Sequence, residues 1–148
     1  MIRIFSVFMI VLLAASFACC AEINIGELVD QYKHATDLQR QVLEKSFIGK
    51  RITVSGIVEN VGEYDFFDIT NDTGGKYYKV LVQQQETANK VPYQIVFLFK
   101  EKSRVLDINR GEPIEKEGNI MKIIDERLQI AVWIYDGELT SRELDLFK

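Results

Sequence analysis

Between residues 25 and 49 the hydrophobic positions recur at intervals of three and four, and from residue 50 they recur at intervals of two. The chain therefore reads as helices followed by strands. Ile25, Leu28, Val29, Tyr32 and Ala35 form the apolar face of a first short helix. A second begins at once, because Thr36-Asp37-Leu38-Gln39 has the form of a capping box, with the Thr36 hydroxyl placed to accept the Gln39 N–H and the Gln39 amide to return to Thr36. Leu38, Val42, Leu43 and Phe47 give the stripe this helix is expected to bury, and Gly49 ends it. Both helices are expected to pack on a sheet.

Ile52, Val54 and Gly56 then alternate with Thr53, Ser55 and Ile57, and Val58 and Val61 extend the series as a strand. Gly56 predicts a bulge or a sharp coil within it. Phe66, Phe67 and Ile69 mark a second strand, and Asn71, Asp72, Thr73, Gly74 and Gly75 a turn, since Asn, Asp and Gly tolerate positive φ. A third strand covers 77–83, with Tyr78, Val80 and Val82 on one face and Tyr77, Lys79 and Leu81 on the other. After a polar loop at 84–91, residues 93–99 are apolar at nearly every position, which requires cover on both faces. A short helical or turn connection at 103–110, closed by Gly111, leads to a strand at 114–123 interrupted at Gly118. A last strand at 128–135 and an amphipathic tail at 138–148 complete the chain.

Five or six strands with short turns, a glycine-bent first strand and a small connection before the last hairpin predict a mainly β fold. The architecture expected is a five-stranded Greek-key barrel of the OB type, preceded by one or two helices. A helical segment would then occupy 22–49, the barrel 50–136 and the tail 137–148. The run Phe47-Ile48-Gly49-Lys50-Arg51-Ile52-Thr53-Val54-Ser55-Gly56-Ile57-Val58, together with Gly111-Glu112-Pro113-Ile114-Glu115-Lys116-Glu117-Gly118, resembles the secreted bacterial OB-fold proteins of the tRNA-anticodon-binding-like family. The resemblance covers most of residues 25–135 and implies a fold; the tRNA in the family's label is not carried over to an acidic, exported chain. Lys116 stands where the family pattern has an apolar residue, and Pro113 is a second departure. Both residue types are tolerated at an exposed edge, so the fourth strand is expected there.

Ahead of these elements, Arg3 precedes an apolar run at 7–15 and a set of small residues, the form of an export leader spanning 1–21. The run falls short of the roughly 20 residues that cross a bilayer. Cleavage before Cys19 and cleavage before Ala21 both fit. Lipidation of Cys19 stays open beside simple release to the periplasm or medium, because Ala18 suits a lipoprotein signal while Phe17 is bulkier than such signals usually carry.

Cys19 and Cys20 are the only cysteines, so the folded part has no thiol for a disulfide, a zinc–cysteine cluster or a nucleophile. About 128 residues remain after processing, the size of one domain able to hold a core without such staples. With Arg3 removed, 17 of the 18 basic residues face 22 acidic ones, a net charge of −5. That balance, with no basic stripe, argues against a nucleic-acid partner.

His34 is the single histidine, and no serine sits in a nucleophile-elbow sequence. A transition-metal site and a hydrolase triad have no starting point, so the expectation is a non-catalytic domain with no cofactor. Asp65, Asp68 and Asp72 could offer carboxylates to a cation, but the segment lacks EF-hand spacing and reads more plainly as a solvated turn. Asn71-Asp72-Thr73 is a glycosylation sequon, of consequence only in a eukaryotic host.

Aromatic side chains give the sharpest candidates. Trp133 and Tyr135 share the face opposite Leu128, Ile130, Val132 and Ile134, and exposed Trp and Tyr make good interface anchors. Tyr77, Lys79 and Tyr93 are further outward candidates, while Tyr78, Phe97 and Phe99 point inward. Cover by the N-terminal helices is the alternative for the Trp133 face. The reading that follows is an exported binding domain engaging a protein partner in the cell envelope or outside the cell. Two others stay open: a small-molecule, sugar or cation-binding stress protein built around Asp65, Asp68 and Asp72, and single-strand nucleic-acid binding.

Overall fold

The computed structural model describes residues 23–66 and 75–137. The leader with Cys19, the positions Phe67, Asp68, Ile69 and Asp72, and the tail lie outside the described residues. Among those described, no helix is long and apolar enough to cross a membrane.

Helix α1 (Ile25–His34) starts at Asn24, whose side chain accepts the Glu27 N–H at 3.3 Å, and it buries Leu28, Val29 and Tyr32. Helix α2 (Asp37–Phe47) starts at Thr36 with both arms of the capping box made. Gly49 adopts φ +84°, a conformation glycine takes without cost, and turns the chain into the sheet. Its N–H donates to the Ile120 carbonyl at 2.7 Å.

Among the described residues six strands follow: β1 (Arg51–Phe66), β2 (Gly75–Val82), β3 (Gln85–Glu86), β4 (Pro92–Phe99), β5 (Pro113–Asp125) and β6 (Ile130–Tyr135), with a short 3-10 turn at Lys102–Arg104. β1 pairs antiparallel with both β2 and β5, and β2 pairs antiparallel with β4. β4 lies parallel to β6, β6 returns antiparallel to β5, and the two-residue β3 extends β4.

The main core lies on one face of this sheet and takes in Ile52, Val54, Val58, Val80, Val82, Ile95, Phe97, Phe99, Ile120, Ile123, Ile130, Val132 and Ile134, with Leu28, Val29 and Tyr32 added from α1. A smaller cluster, Tyr77, Leu98, Met121 and Tyr135 flanked by Tyr64 and Trp133, lies on the opposite face. β4 is therefore buried on both sides, as its unbroken apolar run requires.

Four local expectations change. β1 runs as one strand to Phe66, the first residue assigned to the second predicted strand, while Phe67 and Ile69 lie outside the described residues; its register shift falls between Val58 and Asn60 and not at Gly56. Gly56 is instead a close approach: a Cβ there would stand 2.3 Å from Val82 Cγ1, so only a bare backbone lets β2 pass. β5 runs unbroken through Gly118 and lies between β1 and β6, not at an edge; Pro113 is tolerated because it is the strand's first residue. Leu128 is 85% exposed and precedes β6, so it takes no part in that strand's buried face.

Candidate functional site

The helical hairpin is fixed to the sheet by a polar clamp. Arg40 donates through Nη2 to Asp125 Oδ2 at 2.8 Å and through Nε to the Tyr32 carbonyl at 3.0 Å, and its guanidinium lies 5.0 Å from the centre of the Tyr32 ring. One side chain thus satisfies a C-terminal carbonyl of α1 and ties α2 to the end of β5. Lys33 Nζ adds a 3.0 Å contact to Asp125 Oδ1, and the Tyr32 hydroxyl donates to Glu44 Oε1 at 2.7 Å. From the far side of α1, Asp30 accepts from the Thr87 hydroxyl and from Asn89 Nδ2 at 2.9 Å.

Burial first, then the hydrogen bond to Glu44 and that carboxylate's charge, push the Tyr32 hydroxyl upward, so it stays a donor at all ordinary pH. Desolvation raises the Asp125 carboxyl, but the hydrogen bonds and charges of Lys33 and Arg40 outweigh it and hold the group below the usual carboxylate range. A carboxyl depressed in the folded state stabilises the protein above its unfolded pKa of about 4 and loses that contribution as pH falls through the folded value. Asp125→Asn is expected to cost about 1–2 kcal/mol at pH 7 in urea unfolding, and the gap from wild type should shrink toward pH 3. A gap that stays constant with pH would show that the charge is not what holds the clamp.

The clamp decides which side of α2 faces the sheet. Leu43 and Phe47 pack against the main core, with Arg40 and Glu44 beside them, and no residue of α2 is fully buried. Leu38 and Val42, expected in the buried stripe, are 72% and 59% exposed. They line a groove of about 500 Å³ with Gln31, His34, Ala35, Gln39 and Leu43, a set without Asp, Glu, Lys or Arg. Two exposed branched side chains one turn apart on a rigidly held helix give a surface that can exclude water from an apolar partner.

The aromatic candidates fare differently. Tyr93 does not face outward: it is 8% exposed within the main core, its hydroxyl donates to Gln85 Oε1 at 2.7 Å, and burial raises its pKa. Tyr77 and Tyr135 do lie on the face opposite the main core, but they are 6% and 4% exposed, packed edge to face at 6.3 Å. Neither presents the free ring an anchor needs. Trp133 is half-buried, 5.5 Å from Tyr64, and its buried Nε1–H has no hydrogen-bond partner among the described residues. Lys79 is half-buried with Nζ 5.9 Å from the Tyr64 ring. Asp65 is paired through its backbone with Lys76 on β2, while Asp68, Asp72 and Cys19 fall outside the described residues. Among the described residues no cluster of His, Cys, Asp or Glu could hold a metal ion.

Two further cavities are polar and internally satisfied or open. One of about 330 Å³ lies at the start of α1 against Thr53, Ser55, Gln85 and Tyr93, where Gln85 accepts from Tyr93 and donates to the Ser55 carbonyl at 3.2 Å. Another of about 390 Å³ lies beside Arg104, Asp107 and Glu112. Comparison with protein-family models, with curated proteins and with solved structures found no match.

Proposed function

We propose that the chain is an exported, non-catalytic binding domain built on an OB-type barrel, and that it engages a protein partner through the groove on the α1–α2 hairpin. The barrel reading is supported by the ring of pairings β1, β2, β4, β6, β5 and back to β1, with a parallel β4–β6 contact, together with the resemblance of the β1 and β5 segments to secreted OB-fold proteins. Export rests on Arg3 and the apolar run at 7–15. Lipidation of Cys19 would add a membrane tether to the same reading.

The observation that carries the function is the exposure of Leu38 and Val42 side by side, on a helix whose opposite side is spent on the clamp. Scattered apolar side chains on a surface need no explanation, but an apolar groove framed by fixed helices does. A photo-crosslinking residue at position 38, in cells that make the protein, is expected to give a discrete adduct that disappears on Val42→Glu. The same residue at position 128 should give none. Equal labelling at both positions, or an adduct insensitive to Val42→Glu, would overturn the assignment.

A further inference from the structure

Resting on that reading of the groove, we infer that its occupant is a second copy of this chain, docked α2 against α2 in antiparallel fashion about a twofold axis. Two independent features of α2 point to self-complementarity. Leu38 and Val42 are the exposed apolar pair, one turn apart. Asp37 in the first turn and Lys45 in the last are exposed charges of opposite sign, and neither has an ion-pair partner among the described residues.

A twofold axis across an antiparallel helix pair sets each residue opposite one equally far on the other side of the axis. The centre of the Leu38–Val42 pair falls at residue 40 and that of Asp37–Lys45 at residue 41. One axis therefore serves both within a single residue, about 1.5 Å along the helix. Leu38 of each copy then meets Val42 of the other, and each Asp37 lies beside the other copy's Lys45. The antiparallel arrangement also sets each acidic, positive-dipole end against a basic, negative-dipole end. Arg40 and Glu44 do not compete, since they are engaged with Asp125 and Tyr32. The groove's remaining lining, Gln31, His34, Ala35, Gln39 and Leu43, holds no Asp, Glu, Lys or Arg, so no carboxylate or basic chain in it opposes the same residues of a second copy.

A contact built on one helical hairpin per copy is small, at the weak end of specific interfaces, so the dimer should be reversible and concentration-dependent. Sedimentation velocity on the full purified chain over roughly 1–500 μM should show monomer passing to dimer. Asp37→Lys alone and Lys45→Glu alone should each weaken association by about tenfold or more, because each replaces two symmetry-related attractions by repulsions. The double variant Asp37→Lys/Lys45→Glu should restore it, with circular dichroism and thermal melting showing that all variants stay folded.

A chain that remains monomeric throughout the range, or a folded double variant that does not recover, overturns the second copy. A monomer whose position-38 crosslink in cells persists and still depends on Val42 would do so while leaving the groove as a docking site for a different protein. A monomer without that crosslink removes both.

Discussion

Phe97→Ala is expected to lower the unfolding free energy by about 3–5 kcal/mol, the largest effect of any single truncation in this chain. Phe97 is fully buried at the middle of β4, stacked on Phe99 with ring centres 5.0 Å apart and planes inclined by 23°. It sits between the parallel partner β6, where it is in register with Ile134, and β2, where it faces Val80. The surrounding side chains come from five strands held by backbone hydrogen bonds, so they cannot collapse into the space the ring leaves. A domain of this size holds only about 5–15 kcal/mol in total, so the variant should unfold at much lower urea and show a depressed melting temperature. Phe97→Leu, which keeps most of the volume, should lose less than half as much. A loss below about 1 kcal/mol for the alanine variant would contradict the placement of this ring at the centre of the core.

Gly118→Ala is the second large effect, and it works by addition. A Cβ at Gly118 would lie 2.6 Å from Ile134 Cγ2, 2.7 Å from the Tyr135 carbonyl oxygen and 2.8 Å from Phe97 Cζ. The carbonyl belongs to the backbone of β6 and cannot turn aside, so β5 and β6 must separate locally at a cost of about 2–3 kcal/mol or more. Gly62→Ala supplies the control, because a Cβ there meets nothing within 4 Å; it should be near-neutral. Combining Gly118→Ala with Phe97→Ala should cost less than the sum, since one of the three clashes is with the missing ring. Full additivity, or a neutral Gly118→Ala, would mean that β5 and β6 do not approach as described.

These two sites also show how far the sequence could be read. Alternation placed Val80 and Val82 inside and Tyr77 and Lys79 on the other face, and the 3.6-residue period found α1 with its buried Leu28, Val29 and Tyr32. Thr36 and Gln39 named the start of α2 because a capping box is a local arrangement, decided within four residues. Gly118 read as an interruption because a glycine in a strand signals equally a break and a near neighbour, and the neighbour, β6, lies far along the chain. Period two likewise gives a residue's side but not what covers it, which is why Tyr135 and Tyr77 were assigned correctly to a face and wrongly to solvent.

The face of α2 was beyond reach for a geometric reason. At about 100° per residue, Leu38 and Val42 form one apolar stripe and Leu43 and Phe47 another, roughly 140° away. Nothing local chooses between them. Asp125 chooses, through Arg40, which lies next to the second stripe; a partner 85 residues distant thereby turns Leu38 and Val42 outward. The candidate docking surface is thus a consequence of a polar contact, and the one available signal was the surplus of apolar positions over what one helix face can bury. Tyr93 was misplaced for a related reason: in a strand apolar at nearly every position, alternation has no polar residues to fix its phase.

The most direct test of the groove as a binding surface is oxidative side-chain footprinting of Leu38 and Val42, in intact cells and in dilute purified protein. The account predicts that both are strongly protected in cells while Leu106 and Leu128, which are also exposed, react equally in the two settings. Equal labelling of Leu38 and Val42 in cells and in dilute solution would contradict it.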